Sequence, residues 1–197
     1  MATDSHPRME PGQDTDIALM LRLAGGEDLA LNELISRWRE RVAAFLLRMV
    51  GDHATAMDLA QETFVRLYQS RRNYKPTAAF STYLFHIAAN LARTQARWRK
   101  RHPTVPMEDE SGVIRHEAVD STASPDERAD LRERTTLVNR AIGELPDDQR
   151  EALLLFTLEG MSQAEVAAAL GCTAKAVEVR VYKARQTLRE ALAKAGY

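Results

Sequence analysis

The sequence has a single cysteine, Cys172, among its 197 residues. One cysteine excludes an intramolecular disulfide framework and any zinc site built from several cysteines, and it is typical of a reducing compartment. No apolar stretch approaches the roughly 20 residues that a membrane-spanning helix requires. The first residues, MATDSHPRMEPGQDTD, are polar and partly acidic, unlike a secretion signal. We therefore expect a cytoplasmic protein that does not insert into a membrane.

Proline, glycine and aromatic residues are also scarce, with seven Pro, nine Gly, five Phe, five Tyr and two Trp. The abundant Ala, Leu, Arg and Glu favour helices over strands. A hydrophobic content of 45% is sufficient for a folded core. The sequence predicts an all-α fold. Because no nucleophile, base and oxyanion donor converge along it, we expect no enzyme, no catalytic residue, no metal and no cofactor.

Charge is segregated along the chain although the net charge is only −1. Every charged residue from 80 to 106 is basic, whereas 107–130 holds eight acidic residues against two basic ones. From residue 171 onward six basic residues face two acidic ones. Two basic surfaces separated by an acidic connector indicate a bivalent binder of a polyanion.

The periodicity of apolar residues divides the chain into two helical domains. We expect a disordered N-terminus over 1–15, a four-helix bundle over 16–101, a flexible acidic linker over 102–123 and a second helical domain over 124–197. The segment SPDE, which begins at Ser124, has the cap, proline and acid of a helix start.

Local signals predict helix ends in the first domain. Gly25, Gly26 and Gly51 are expected to stop helices, and Asp52 and Ser81 to cap the third and fourth. Three- and four-residue steps predict the buried faces. These are Leu31, Leu34, Trp38, Val42, Phe45 and Met49 on the second helix, Met57, Ala60, Phe64 and Leu67 on the third, and Leu84, Ile87, Leu91 and Trp98 on the fourth.

A helix, a tight turn and a second helix are predicted near the C-terminus. Ser162 and Glu165 form a capping box, Gly171 ends that short helix and Thr173 caps the next one. The last helix would bury Val177, Val181, Ala184, Leu188 and Leu192. Its outer face and flanks then present Lys175, Glu178, Val179, Tyr182, Lys183 and Arg185. This pattern is typical of a helix-turn-helix that reads DNA bases, or of an ordinary packed pair with a solvated basic face.

The fourth helix carries a second candidate nucleic-acid surface. Its members recur at three- and four-residue steps opposite the apolar face: Tyr83, His86, Asn90, Arg93 and Arg97. An aromatic ring, an amide and guanidinium groups on one face suit an unpaired strand, although a solvated charged face has the same composition. The preceding basic loop, residues 71–75, could add a pocket for an extruded base.

The third helix carries the opposite kind of surface. Asp58, Gln61 and Glu62 form an acidic patch next to Leu59, which we expect to be exposed. Since this patch would repel DNA, a protein partner with basic side chains is the functional interpretation, and an ordinary solvated face is the alternative.

Four segments together resemble bacterial sigma factors of the extracytoplasmic-function (ECF) class. They are DLAQETFVRLY at 58–68, FSTYLFHIAAN at 80–90, LPDDQREA at 145–152 and GCTAKAVEVR at 171–180. Their order and spacing are more specific than any one of them. The resemblance extends from about residue 16 to residue 192 and implies the two domains known as sigma regions 2 and 4.

The resemblance implies a transcription initiation factor that binds core RNA polymerase and promoter DNA. It assigns the Asp58, Gln61 and Glu62 patch to the polymerase clamp helices. The fourth-helix face would recognise and melt the minus-ten element, and the last helix would read the minus-thirty-five element. An anti-sigma factor is expected as a further partner, because many ECF members are held inactive by one.

Departures from the family pattern leave the promoter sequence open. Glu178 stands where a lysine or arginine is common, and Val179 where a serine is common. Tyr83 replaces a frequent tryptophan, and Met57 replaces an acid. Two other classes compete with this interpretation: a sigma mimic that sequesters anti-sigma factors without touching DNA, and an ordinary helix-turn-helix repressor. The intact Lys175, Lys183 and Arg185 set argues against the mimic, and the first domain argues against the repressor.

Overall fold

The computed structural model describes residues 13–102 and 125–195, and helices are the only regular structure there. The first half contains α1 (Gln13–Ala24), α2 (Leu29–Val50), α3 (His53–Ser70), a 3-10 turn (Arg71–Asn73) and α4 (Phe80–Arg101). The second half contains α5 (Pro125–Glu144), α6 (Asp147–Thr157), α7 (Gln163–Leu170) and α8 (Ala174–Lys194). The all-α prediction is confirmed. Because α1 begins at Gln13, it enters the segment predicted to be disordered; the rest of that segment, the linker beyond residue 102 and the Ser124 cap lie outside the described residues.

The predicted end of α2 and the predicted start of α3 are confirmed. Gly51 adopts a left-handed conformation with φ of 75°, and its N–H donates to the Leu47 carbonyl at 2.8 Å. The Asp52 carboxylate accepts from the Thr55 N–H at 2.7 Å, which satisfies an amide that α3 itself leaves without a partner. A stop and a cap on adjacent residues therefore make the sharp corner between these two helices.

The predicted cap at Ser81 is wrong. Ala79 stands at the N-cap of α4 and makes no side-chain cap hydrogen bond, while Ser81 is buried in the first turn. The Phe80 ring is fully buried and meets Trp38 edge to face at 5.7 Å between ring centroids. Packing of this aromatic ring therefore sets the start of α4, in place of a local side-chain cap.

The core of the first half is built around α2, which packs against α1, α3 and α4. The Phe85 ring lies edge to face with Phe45 at 5.4 Å and Trp38 at 6.2 Å. The buried Trp38 indole N–H donates to Asp16 at 3.0 Å, so its polar atom has a partner. Of the predicted inner-face residues, Met57 is instead 40% and Trp98 46% exposed.

The helix-turn-helix signals of the second half are confirmed. The Ser162 hydroxyl accepts from the Glu165 N–H at 3.3 Å, and the Glu165 carboxylate accepts from the Ser162 N–H at 2.8 Å. Gly171 ends α7 with φ of 65°, and the Thr173 hydroxyl accepts from the Ala176 N–H at 3.1 Å. Four consecutive local signals thus fix the angle at which α8 leaves α7.

Ser162→Ala is expected to lower the free energy of unfolding by about 1 kcal/mol, because it removes the hydroxyl that accepts from an otherwise unpaired amide. Thermal unfolding followed by circular dichroism would measure the loss. The neighbouring Gln163→Ala lies in the same first turn, on an exposed side chain, and serves as the control. Equal melting temperatures for the two variants would contradict the capping role.

The two helical halves pack against each other. The α4 helix contacts α7, and α2 contacts both α5 and α6. Buried residues of the two halves form one continuous hydrophobic cluster. No helix in the described part of the chain is long and apolar enough to cross a membrane. The bundle therefore presents its α4 face toward the second half.

Candidate nucleic-acid interface

The outer face of α8 is fully available in this structure. Val177, Val181 and Ala184 are buried, which turns the opposite side of the helix outward. All six residues predicted for this surface are exposed: Lys175, Glu178, Val179, Tyr182, Lys183 and Arg185. The ring of Tyr182 is 68% exposed and Val179 is 41% exposed. Val179 and Tyr182 are thus apolar side chains that lie outside the hydrophobic core and among cations, so they are available to contact a partner.

Three of these side chains make contacts with neighbouring side chains. The Lys175 ammonium donates to the Glu178 carboxylate at 2.8 Å across one helical turn. The Arg185 guanidinium lies 5.4 Å from the Phe156 ring centroid, a cation–π arrangement. An open groove of about 300 Å³ runs between α6 and α8 at this point.

The α4 face brings three of its five predicted residues into one hydrogen-bonded network. His86 Nδ1 donates to the Ala169 carbonyl at 2.8 Å, and the Asn90 amide nitrogen donates to His86 Nε2 at 3.0 Å. The Asn90 amide oxygen accepts from Arg93 at 3.1 Å. Since the Ala169 carbonyl can only accept, the network requires the His86 proton on Nδ1.

Tyr83 and Arg97 lie outside that network. The Tyr83 hydroxyl is hydrogen-bonded to the Ser70 hydroxyl at 2.7 Å, and its half-buried ring lies 5.1 Å from the Tyr74 ring. Arg97 is exposed one turn further along α4 and donates to the Thr94 hydroxyl at 3.2 Å. The predicted face therefore runs along α4 from the packed ring of Tyr83 at one end to the exposed guanidinium of Arg97 at the other.

Arg93 is paired with a carboxylate from the second half. Its Nε donates to Glu151 Oε2 at 2.8 Å and its Nη2 to Glu151 Oε1 at 2.9 Å, a two-pronged ion pair. The Glu151 residue is 3% exposed. Burial raises the pKa of the Glu151 carboxyl, and the hydrogen bonds from Arg93 only partly oppose that shift.

Glu151, the buried partner of Arg93, was not among the residues that the sequence singled out. It lies three and four residues before Leu154 and Leu155, which are both buried, so it belongs to the inner face of α6. A carboxylate at an apolar position of a helical pattern was the available signal. It indicates a buried partner of opposite charge, here supplied by α4.

The patch on α3 differs from the prediction in which apolar side chains it exposes. Asp58 and Gln61 are exposed, but Leu59 is only partly exposed and packs against the core. Glu62 is half-buried and accepts from Arg66 at 2.8 Å within the helix. Exposed Met57 and Val65 flank the acids. The surface is a mixed acidic and apolar one, as protein interfaces commonly are.

The basic loop before α4 is partly fixed by aromatic packing. The Arg71 guanidinium lies 3.7 Å from the Tyr68 ring centroid, and Tyr74 is buried. Arg72, Asn73 and Lys75 are exposed. The loop therefore presents polar and cationic side chains next to Tyr83.

No metal site is found within residues 13–102 and 125–195, because no three His, Cys, Asp or Glu side chains there lie close enough to share an ion. Cys172 is a free, partly exposed thiol in the turn between α7 and α8.

Comparison with protein families matches both halves of the chain. Residues 34–102 match the model described as Sigma-70 region 2, and residues 136–188 match Sigma-70, region 4. These two regions in this order define a transcription initiation factor that directs RNA polymerase to specific promoters.

Curated relatives cover almost the whole chain. The RNA polymerase sigma-H factor of Pseudomonas aeruginosa is 33% identical over 184 residues, covering 91% of this chain and 95% of the relative. The ECF RNA polymerase sigma-E factor of Escherichia coli (strain K12) is 31% identical, covering 89% and 93%. The chain belongs to the ECF class of bacterial sigma factors.

Two solved structures share the fold. CnrH, solved in complex with the cytosolic domain of CnrY, aligns with a TM-score of 0.68 at 27% identity, over 93% of this chain and all of that one. The sigma factor RpoE from Bartonella quintana, solved in complex with the anti-sigma factor NepR, gives 0.65 at 25% identity, over 82% and 95%.

Proposed function

We propose that three surfaces of the chain have separate roles in transcription initiation. The α3 patch (Asp58, Leu59, Gln61 and Glu62) docks on core RNA polymerase. The α4 face (Tyr83, His86, Asn90, Arg93 and Arg97) recognises and melts the minus-ten element. The α8 face (Lys175, Glu178, Val179, Tyr182, Lys183 and Arg185) reads the minus-thirty-five element. The observation that carries the proposal is the α8 face, where exposed Val179 and Tyr182 lie among cations beyond a capped helix-turn-helix.

Each group on α8 has a natural partner on duplex DNA. Exposed Val179 can contact a thymine methyl group, and the Glu178 carboxylate can accept from cytosine N4. The exposed ammonium and guanidinium groups beside them suit phosphates. Glu178 is bonded to Lys175 in this structure, so base contact by Glu178 requires that exposed ion pair to be exchanged.

The α4 face suits a single strand because it combines stacking and polar groups. Asn90 and Arg93 can hydrogen-bond base edges and phosphates, and the exposed loop residues Arg72 and Lys75 extend the cationic surface. Tyr83 lies beside them with its ring half-buried, so one edge of an aromatic platform is available to a base.

We further propose an anti-sigma partner, supported by the NepR complex of the Bartonella relative. The chain acts in the bacterial cytoplasm, at the nucleoid, and as a binding factor without catalytic chemistry of its own. The alternative is a mimic that occupies anti-sigma factors only, and the exposed cations of α8 favour the DNA-binding function.

Mixing the purified chain with bacterial core polymerase tests the function as a whole. We expect the two to co-elute in size-exclusion chromatography and the complex to produce promoter-specific transcripts from genomic DNA. Failure of both would overturn the proposal, whereas co-elution with an anti-sigma factor alone would identify the mimic.

Lys183→Ala is expected to weaken binding to minus-thirty-five duplex DNA and to reduce the slope of log affinity against log salt by roughly one. The reason is that one phosphate contact, and the counterion it releases, is lost. Lys194→Ala, which removes an exposed cation at the C-terminal end of the same helix, is the control and should keep the slope. An unchanged slope for Lys183→Ala would remove Lys183 from the interface.

A further inference from the structure

We propose that Lys175 and Glu178, which we call the charged pair, act together to select a single C·G base pair, and that Val179 selects a thymine beside it. On DNA, Glu178 accepts from the cytosine amine and Lys175 donates to the paired guanine. The inference rests on the proposed function in taking α8 as the helix that enters the major groove. It deepens that proposal by naming the base pair that the helix selects.

The charged pair lies at the end of α8 that a helix-turn-helix turns toward the bases. Recognition helices contact base edges through their N-terminal residues. Because α8 begins at Ala174, Lys175 lies in its first turn and Glu178 in its second. Both side chains are largely exposed, at 75% and 51%, and the Lys175 ammonium donates to the Glu178 carboxylate at 2.8 Å. A donor and an acceptor therefore already meet at one point of the reading surface.

The order of side chains across α8 gives Glu178 base edges as its partners. At about 100° per residue, Glu178 and Val179 lie on either side of Lys175, with Arg185 beyond Glu178 and Lys183 beyond Val179. Arg185 and Lys183 are both exposed. Cations on the two flanks suit the two phosphate backbones that border the major groove. A carboxylate between them is repelled by phosphate and is satisfied only by a donor on a base.

One acceptor beside one donor matches a C·G pair best. In the major groove cytosine presents the N4 amine as its only hydrogen-bonding group, while the paired guanine presents two acceptors, O6 and N7. Glu178 can therefore accept from N4 while Lys175 donates to O6 or N7. Adenine also has an amine, but its N7 acceptor lies beside that amine and repels a carboxylate, and the paired thymine offers the ammonium only O4.

Val179 adds a second, apolar preference. Its side chain is 41% exposed and offers no hydrogen bond to a base. Contact with the thymine methyl group is the interaction that an apolar side chain makes in the major groove. Since Val179 directly follows Glu178 on the helix, the two side chains reach neighbouring base pairs. The expected element therefore holds a C·G pair next to a pair that contains thymine.

The exchange of the charged pair for the base pair is not costly. Exposed ion pairs contribute little to stability, because water competes for both groups. On a C·G pair, Lys175 and Glu178 each replace one partner by another of the same kind. On a pair that lacks an accessible amine, the carboxylate faces only acceptors, so most of the selectivity comes from rejection of the wrong pairs.

Selection from a pool of duplexes with a randomised centre tests the assignment. The full chain assembled with core RNA polymerase binds the pool, and the bound duplexes are sequenced. We expect the original chain to enrich an element with the C·G pair, and Glu178→Gln to change that position to A·T, because glutamine pairs with N6 and N7 of adenine. Lys175→Ala should weaken the C·G preference. Glu190→Gln removes the same charge from an exposed side chain further along α8 and should keep it.

Affinities for the enriched duplex give the size of the effect. Replacing its C·G pair by A·T should weaken binding by the original chain roughly 10-fold and strengthen binding by the Glu178→Gln variant. A C·G preference that survives Glu178→Gln would overturn the inference and leave α8 as the reader of the element. A pool without any enriched element would overturn the proposed function of α8 and the inference with it.

Discussion

Replacing Arg93 with alanine is expected to open the free chain and, in the holoenzyme, to slow promoter opening by roughly 10- to 100-fold, because hydrogen bonds to a charged group contribute about 1.5–3 kcal/mol. One guanidinium is shared between two successive partners, Glu151 in the free chain and the minus-ten strand in the open promoter. Its removal is therefore expected to separate the two halves of the free chain and, in the holoenzyme, to slow promoter opening.

Glu151→Ala separates the two effects. This variant also loses the ion pair that joins the two halves of the free chain, but Glu151 belongs to none of the surfaces proposed to bind DNA, so promoter opening should proceed at the normal rate. Permanganate reactivity of promoter thymines measures opening in the holoenzyme, and scattering measures the free chain. Equal promoter opening by the two variants would contradict a direct role of Arg93 on the DNA.

Helix ends were predictable wherever the signal was local. Gly51 and Asp52, and likewise Gly171 and Thr173, each set the backbone or satisfy an amide within a few residues, so sequence alone specifies them. Ser81 has the same chemistry but failed, because burial of Phe80 against Trp38 decides where α4 begins. A tertiary contact can override a local preference without leaving a trace in the neighbouring residues.

Periodicity also failed at the ends of helices. Met57 lies near the start of α3, beside the buried face that Ala56 and Ala60 define, and Trp98 lies in the last turn of α4, beyond the buried residues of that helix, which end at Ala92. Trp98 instead stacks on His102, with 4.9 Å between ring centroids. A helical pattern states which side chains share a face and does not state how far along the helix a partner extends.

The contact between the halves was the least predictable feature. The cationic side chains of α4 were correctly placed on one face, but a solvated face, a DNA surface and a protein contact have the same pattern of residues. Only Glu151, an acid at an inner position of α6, indicated that one of those cations would be buried with a partner. Long-range pairing of this kind, between residues 58 positions apart, needs the three-dimensional arrangement.

Asp58→Arg is expected to weaken binding to core RNA polymerase by on the order of 100-fold, since a like charge placed against basic side chains costs several kcal/mol. Asp58 suits this test because it is exposed and, among the described residues, is joined to no cation by an ion pair. Glu62 suits it less well, because its carboxylate already accepts from Arg66 and its reversal would disturb α3 itself. Fluorescence anisotropy of labelled chain titrated with core polymerase measures the affinity.

Glu40→Arg on α2 is the matched control, with the same change of charge on a side chain that is 87% exposed. Both variants should keep the melting temperature of the original chain, so a difference in polymerase affinity would report the α3 surface and not net charge. Raising the salt concentration should narrow the difference, because exposed charges are screened. Equal affinities for the two variants would place the docking surface elsewhere, and the exposed apolar side chains of Met57 and Val65 would then need another partner.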